Sequence, residues 1–342
     1  MSTPDVRIGI VTYDTPADLE ACLQTLSAAV EGLDAEVVVV DNGSELDADA
    51  EVARRFAVRL LRLERNVGYP RAMNTALAEA SAPVLVALNP DTVLEPGSLT
   101  RLVGTLLADP TTGLVGPRIT SRDGHLNHSV RAFPSPAGAL TTGFAPRWLR
   151  RRLPNAWWLD ERPEPTHAVD ADWLVGALHV LRREAVRRDR VYSERSFMYA
   201  EDMELCWHVR AGGWRVVHEP TVTISHVGEG TGARAYGGSR ERRWLDASYD
   251  WYVAVHGEAA ARRWAVANVA GLAMKSAVLG VVGTPEHRSF VHELLGFHAR
   301  RMTQPLGDLH SRLTVAGEVP PAPVVCFDSA HDGAGAGSGE QV

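Results

Sequence analysis

With 342 residues, 45% of them apolar and 23% charged, the chain is long enough for one large or two small soluble domains with a real core. A formal charge of −7 argues against nucleic-acid binding, because neutralising phosphates takes a basic surface that this balance does not supply. Three scattered cysteines, Cys22, Cys206 and Cys326, form no metal-type pair and are odd in number, so a reducing, cytoplasmic setting is expected.

The N-terminal stretch Met1 to Asp5 lacks the basic start and apolar block of a secretion signal. From Arg7 to Thr12 and from Glu36 to Val40 run two short β-branched segments. Between them Leu19, Cys22, Leu23 and Leu26 recur at helical spacing within Pro16 to Val30. Apolar strands joined by a helix predict a parallel sheet covered on both faces. Arg59 to Leu63 reads as a third strand, Pro70 to Ala80 as a helix and Pro83 to Leu88 as a fourth strand, completing a Rossmann-like half by residue 92.

Ligands of open sheets bind beyond the carboxyl ends of the strands, and Thr12, Asp41, Asn42 and Asp91 fall there. No Gly-x-Gly-x-x-Gly follows the first strand and no Gly-Lys-Ser/Thr occurs, so a metal is the expected means of holding phosphates. From Pro117 to Thr166 the patterns weaken and Arg147, Arg150, Arg151 and Arg152 gather. This is expected to be a long excursion over one side of the site, or simply a solvated basic surface. A second organised block follows, with strand-like Trp173 to Leu181, a helix from Asp202 to Ala211 and strand-like Arg215 to His218. Trp264 to Val282 is the most apolar stretch. Asn268 and Lys275, seven apart, give it one polar stripe, as in a helix packed on the protein body or lying at a membrane interface. Gly333 to Gly339 belongs to a low-complexity tail expected to be disordered.

Four motifs and one histidine carry candidate chemistry. Asp91 in Asn89-Pro90-Asp91 ends an apolar strand, where a carboxylate suits a divalent cation; it equally reads as the cap of a helix beginning near Glu95-Pro96. Asp41, in Asp41-Asn42-Gly43-Ser44, is able to accept a bond from a pyrimidine imide or to close an Asx turn. Asn66-Val67-Gly68, just before a helix carrying Arg71 and Asn74, offers donors to a nucleotide or a plain helix entry. Glu201 and Asp202 follow Phe197-Met198-Tyr199-Ala200 at a helix start. Adjacent side chains diverge on a helix, so one is suited to abstracting a proton and the other to orienting a sugar or loop; acids also favour that position through the dipole. His226, after Ile224-Ser225, could complete a metal site with Asp91.

Together these segments resemble the family-2 inverting glycosyltransferases, and within them the bacterial rhamnosyltransferase-like branch. The resemblance covers roughly residues 7 to 230. It rests on Ile10-Val11-Thr12-Tyr13, Val40 to Ser44, Asn66-Val67-Gly68-Tyr69, Leu88 to Thr92, Asp172 to Ala177 and Phe197 to Asp202, in that order. It implies an α/β GT-A fold: a Rossmann-like, mostly parallel central sheet flanked by helices, with a C-terminal helical extension. The expected divisions are a catalytic domain over 1–230 (nucleotide half 1–116, acceptor half 117–230), an extension over 231–328 and a tail over 329–342.

The resemblance further implies Mg2+ or Mn2+ and a dTDP- or UDP-linked sugar donor, with dTDP-rhamnose the first choice. The hydroxyl acceptor would sit on a glycan, a lipid-linked glycan or a natural product. By position Asp202 would be the base with Glu201 beside it, Asp91 and His226 the metal ligands, and Thr12, Tyr13, Asp41, Asn66, Gly68, Arg71 and Asn89 the nucleotide and diphosphate contacts. Asp172, Trp173 and Gly176 would line the sugar and acceptor pocket. Asn89 departs from the usual first acid, leaving Asp91 most of the metal charge. Peripheral contact with the inner membrane face and a homodimer complete the expected partners. A sugar-nucleotide nucleotidyltransferase would show a glycine-rich basic loop where Thr12 to Pro16 stands, and a non-catalytic binding protein would leave Glu201 and Asp202 idle.

Overall fold

The computed structural model describes residues 4–56, 58–144, 165–226, 240–282, 284–304, 306 and 325–327. The arginines at 147, 150, 151 and 152 and the glycine-rich tail lie outside the described residues. Strands β1 (Val6–Thr12), β2 (Ala35–Asp41), β3 (Arg59–Arg62) and β4 (Val84–Leu88) are parallel in the order β3-β2-β1-β4. Helices α1 (Pro16–Ala29), α2 (Ala48–Arg55) and α3 (Tyr69–Leu77) connect them. Side chains alternate across the pleat: Ile8, Ile10 and Val39 enter one core with Leu19 and Cys22, whereas Val11, Val38 and Val40 enter another with Met73 and Ala76. Both faces of the sheet are therefore covered, as the continuous apolar strands require.

Beyond β4 the polypeptide forms β5 (Thr92–Leu94), α4 (Ser98–Ala108) and β6 (Thr112–Thr120). Asp91 does not cap α4. A three-residue strand intervenes and Gly97, in the left-handed region, precedes the helix. Two short strands, β7 (Leu126–Asn127) and β8 (Val130–Arg131), and helix α5 (Pro136–Phe144) occupy part of the segment whose patterns weaken in sequence. After β9 (Val169–Asp170), the expected strand Trp173 to Leu181 is two pieces. β10 (Trp173–Leu174) pairs with β8, and β11 (Leu178–Arg182) enters the main sheet antiparallel to β4. Val175-Gly176-Ala177 makes the break, and the Gly176 N–H turns towards Asp202.

Helix α6 (Glu201–Ala211) leads to β12 (Arg215–His226), which is longer than the Arg215–His218 strand expected. Pro220 is accommodated because the pairing of β12 with β6 shifts register between Glu219 and Thr223. Helices α7 (Arg240–His256), α8 (Glu258–Val282) and α9 (Pro285–Thr303) follow, α8 packing along α5. Strand β13 (Val325–Phe327) closes the far edge on β3. Trp251, Tyr252, Trp264 and Phe297 from the C-terminal helices share one core with Met203 and Leu205 of α6. Among the described residues no helix is long and apolar enough to cross a membrane.

Candidate active site

Parallel pairing brings the carboxyl ends of β1, β2 and β4 to one edge, with Thr12 opposite Asp41 and Ile10 opposite Leu88. A cavity of about 510 Å³ opens there. Of the residues singled out in sequence, Thr12, Tyr13, Asn66, Asn89, Asp91, Trp173, Gly176, Glu201, Asp202 and His226 line it. Positions 12 to 226 of the chain thus meet around one space.

Asp41, Gly68, Arg71 and Asp172 are not in that lining. Asp41 is wholly buried; its Oδ1 accepts the Ser44 N–H at 2.9 Å and its Oδ2 lies 3.2 Å from Arg62 Nε, so the Asx turn is the observed arrangement. Arg71 pairs with Glu194 at 2.9 Å instead of reaching the cavity. Asp172 accepts the Phe133 N–H at 3.2 Å. Gly68 has φ of +87°, and a Cβ there would lie 2.5 Å from the Phe197 carbonyl oxygen, while the next N–H, of Tyr69, donates to that oxygen at 3.0 Å. Gly68 and Arg71 therefore join α3 to the loop that leads into Glu201 and Asp202. Asn74 strengthens the joint: its Oδ1 accepts the N–H groups of Val191 and Tyr192, and its Nδ2 donates to the Tyr192 carbonyl. Gly68→Ala is expected to loosen this loop and lower transfer activity at least tenfold, with faster proteolysis between residues 191 and 200; unchanged cleavage and rate would refute the role.

Asn42 and Asn66 brace one side of the cavity. Asn42 Nδ2 donates to Asn66 Oδ1, which also accepts the Gly68 N–H, while Asn42 Oδ1 accepts the Val67 N–H, each at 3.0 Å. The Thr12 hydroxyl is bonded to buried Asp49 and lies 3.0 Å from the Thr15 hydroxyl, so it holds the loop in place.

On the opposite side Asp91 Oδ1 lies 3.0 Å from His226 Nε2, with Asn89 Nδ2 at 3.4 Å from the same nitrogen. Asn89 Oδ1 is buried without a hydrogen-bond partner. Such an orphan is costly unless a ligand supplies its partner. A carboxylate, an imidazole and this amide oxygen, all on the cavity wall, are a suitable donor set for a hard divalent cation. Among the described residues no cluster of three His, Cys, Asp or Glu side chains occurs. Phosphate oxygens and water would have to complete the coordination, which is usual for magnesium.

The acidic pair opens α6. Tyr199 and Ala200, with φ of +76° and +64°, occupy the left-handed region just before it. This backbone is disfavoured for residues with a Cβ and persists only where surroundings fix it. Asp202 Oδ2 accepts the Gly176 N–H at 3.1 Å and Oδ1 accepts the Met203 N–H at 2.8 Å, so the carboxylate is held at both oxygens. A Cβ on Gly176 would come within 3.1 Å of the Asp202 Cβ; glycine allows this approach. Glu201 Oε2 has no hydrogen-bond partner.

Burial raises the pKa of both carboxyls; the Asp202 charge adds to the rise at Glu201, while backbone donors and Arg131 oppose it at Asp202. A folded-state pKa above the unfolded value means that the folded chain holds a proton the unfolded chain has released, so this contribution destabilises as pH rises. Glu201→Gln is expected to raise the melting midpoint at alkaline pH and leave it nearly unchanged at about pH 4, below the ordinary glutamate pKa. A calorimetric scan at both pH values checks this.

Asn42, expected at a strand end, lines the cavity too, and so do Tyr69, Arg131, Tyr192, Met198, Tyr199 and Trp244, which were not among the expected site residues. Tyr69, Met198 and Tyr199 stand inside recognised motifs. Arg131 arrives only through the pairing of β8 with Trp173 of β10, and Trp244 only through the placement of α7, neither of which local sequence reveals.

A mostly parallel sheet with an acid-lined cavity at its carboxyl edge is the arrangement expected of a GT-A glycosyltransferase. The model for glycosyl transferase family 2 matches residues 7–152. An N-acetylglucosaminyl-diphospho-decaprenol L-rhamnosyltransferase from Mycobacterium tuberculosis is 34% identical over 230 residues, covering 63% of this chain and 74% of that protein. A pre-mycofactocin glycosyltransferase from the same organism is 27% identical over 206 residues, 60% of this chain and 39% of that one. In three dimensions the chain is similar to a mannosyltransferase from Pyrobaculum calidifontis solved with GDP-Man and Mn2+, at a TM-score of 0.53 and 18% identity over 88% of both chains; this likeness concerns the fold. The chain belongs to glycosyl transferase family 2 and is a glycosyltransferase, similar to the rhamnosyltransferases within that family.

Proposed function

We propose that this enzyme transfers rhamnose from dTDP-rhamnose to a hydroxyl of an N-acetylglucosaminyl diphospho-lipid, with inversion at the anomeric carbon and with Mg2+ or Mn2+ bound. The observation that carries the chemistry is that Asp202, held at both oxygens, faces the same cavity as Asp91 and His226. The choice of sugar and acceptor rests on the similarity to the mycobacterial rhamnosyltransferase. Residues 1–230 are assigned to catalysis and 231–328 to the extension, which is helical up to Thr303 among the described residues and returns a strand, Val325–Phe327, to the sheet edge on β3. Buried, unpaired thiols at Cys22 and Cys206 support a reducing cytoplasmic setting.

In this mechanism Asp202 removes the proton from the acceptor hydroxyl as its oxygen attacks the anomeric carbon. Glu201, with one oxygen unpartnered, receives a sugar hydroxyl and sets its orientation. Asn42 and Asn66 shape the nucleotide end, and Asn89, Asp91 and His226 hold the diphosphate end. A bound divalent cation supplies charge neutralisation for the departing diphosphate. One in-line displacement suffices; no second carboxylate is assigned as a covalent nucleophile.

Hydrolysis and transfer assays with dTDP-rhamnose, UDP-galactofuranose, UDP-glucose and GDP-mannose test the donor, and preference for any of the last three would overturn the assignment. Because burial raises the Asp202 pKa, activity should fall with decreasing pH at a value above the ordinary carboxylate range. Arg131→Gln removes a charge that lowers that pKa, so the acid limb of kcat/KM should move to higher pH. An unmoved limb would show that another group controls it.

A further inference from the structure

Trp244 of α7 lies on the cavity wall although it belongs to the C-terminal extension, outside every motif that defines the site. Its helix is fixed to the catalytic machinery at two independent places. Asp250, almost fully buried, pairs with Arg195 at 3.3 Å, and Arg195 belongs to the loop that delivers Glu201 and Asp202. Trp251 stacks on Phe133 with ring centroids 5.7 Å apart and meets Trp207 edge-on at 5.6 Å. Phe133 follows Arg131 and Ala132 of the cavity wall, and Trp207 lies on the helix begun by Glu201 and Asp202.

Trp244 and Trp251 are seven residues apart, two helical turns, and so share one face of α7. The anchoring of Trp251 therefore fixes the direction in which Trp244 faces. The elements that seat α7 are those that carry Arg131, Ala132, Glu201 and Asp202, and on this ground Trp244 is assigned to the Asp202 side of the cavity. An indole on the base side offers a flat apolar face with a polar tip, the surface that the C–H face of a pyranose ring packs against.

We propose that Trp244 is the platform for the acceptor sugar and a determinant of acceptor specificity, so that the C-terminal extension forms one wall of the active site. This rests on the assignment of Asp202 as the base. Stacking of the acceptor ring on Trp244 presents its hydroxyl to the Asp202 carboxylate, and the donor end of the cavity gains nothing from it.

The test uses the full chain with a synthetic alkyl diphosphate N-acetylglucosamine as acceptor probe. Saturation-transfer NMR should show the probe's ring protons in contact with the wild-type protein. At a fixed sub-saturating probe concentration Trp244→Ala should weaken that signal severalfold and raise the acceptor KM about tenfold, while the donor KM and acceptor-free donor hydrolysis stay at wild-type values. Trp244→Phe, which keeps a flat ring and guards against misfolding of the alanine variant, should stay within about threefold of wild type. Absence of a ring-proton signal with wild type, an undiminished signal in Trp244→Ala, or an equal rise in donor KM would each overturn the proposal. Asp202→Asn separates the two ideas: it should keep the ring-proton contact and lose transfer. If it keeps transfer, the base assignment fails while the Trp244 result stands.

Discussion

Asp202→Asn should lower the rate of glycosyl transfer by about 10²–10⁴-fold, the range typical of a lost general base. The amide is nearly isosteric, and its carbonyl oxygen is able to keep one of the two backbone bonds now made to Gly176 and Met203. Its NH2 cannot accept the other, so a local stability cost of about 1 kcal/mol is expected beside the catalytic loss. What disappears is the capacity to take a proton. Acceptor binding and donor KM should change little, since the missing interaction develops only as the hydroxyl oxygen becomes a nucleophile. Steady-state kinetics with both substrates varied would check the split. A variant with a raised acceptor KM and a normal kcat would make Asp202 a binding group, and the base would have to be sought elsewhere.

Asp91→Ala is the second large effect. Removing this carboxylate takes away the charged member of the Asp91–His226 pair and leaves an imidazole and the orphaned Asn89 amide oxygen at the end of the cavity proposed to hold the diphosphate. Transfer should fall by about 10²–10³-fold, comparable to the loss of one group that stabilises developing charge. The metal concentration giving half-maximal activity should rise steeply. Titration of wild type and variant with Mn2+, followed by activity and by binding of dTDP, reads both. Equal metal dependence in the two proteins would remove Asp91 from the metal site. The substitution should not unfold the chain, because Asp91 stands at the cavity edge and caps no helix.

The first half of the fold was legible because its signals are local. Pro16 and the run Leu19, Cys22, Leu23, Leu26 announce α1, and β-branched runs announce β1, β2 and β4. Helix α2 was hidden because its buried face consists of Ala50, Val52 and Ala53 together with an aspartate, Asp49, too small and polar a stripe to register. The division of Trp173 to Leu181 into β10 and β11 was hidden for a different reason: each piece is apolar, and only the bond from Gly176 to Asp202 reveals the turn. The site followed the same rule only in part. Thr12 at the end of β1 and the acidic motif reached the cavity, whereas Asp41, although it ends β2, and Arg71 found partners in Ser44, Arg62 and Glu194 that only tertiary structure supplies.

Those partners change the roles open to the residues concerned. Asp41 and Arg71 fix turns and loops around the cavity, and the contact surface itself includes Arg131, brought by β8, and Trp244, brought by α7. The extension after residue 231 is thereby part of the site's architecture, tied to it by the Arg195–Asp250 pair and the Phe133–Trp251–Trp207 cluster.

The most direct measurement of the central claim is the anomeric configuration of the sugar in the transfer product. Donor labelled with 13C at the anomeric carbon, turned over by the full chain, gives a product whose one-bond carbon–hydrogen coupling reports that configuration. A single displacement assisted by Asp202 predicts the configuration opposite to the donor's. A product with the donor's configuration would contradict the account, because it requires two displacements and a nucleophile that neither Glu201 nor Asp202 is assigned to be.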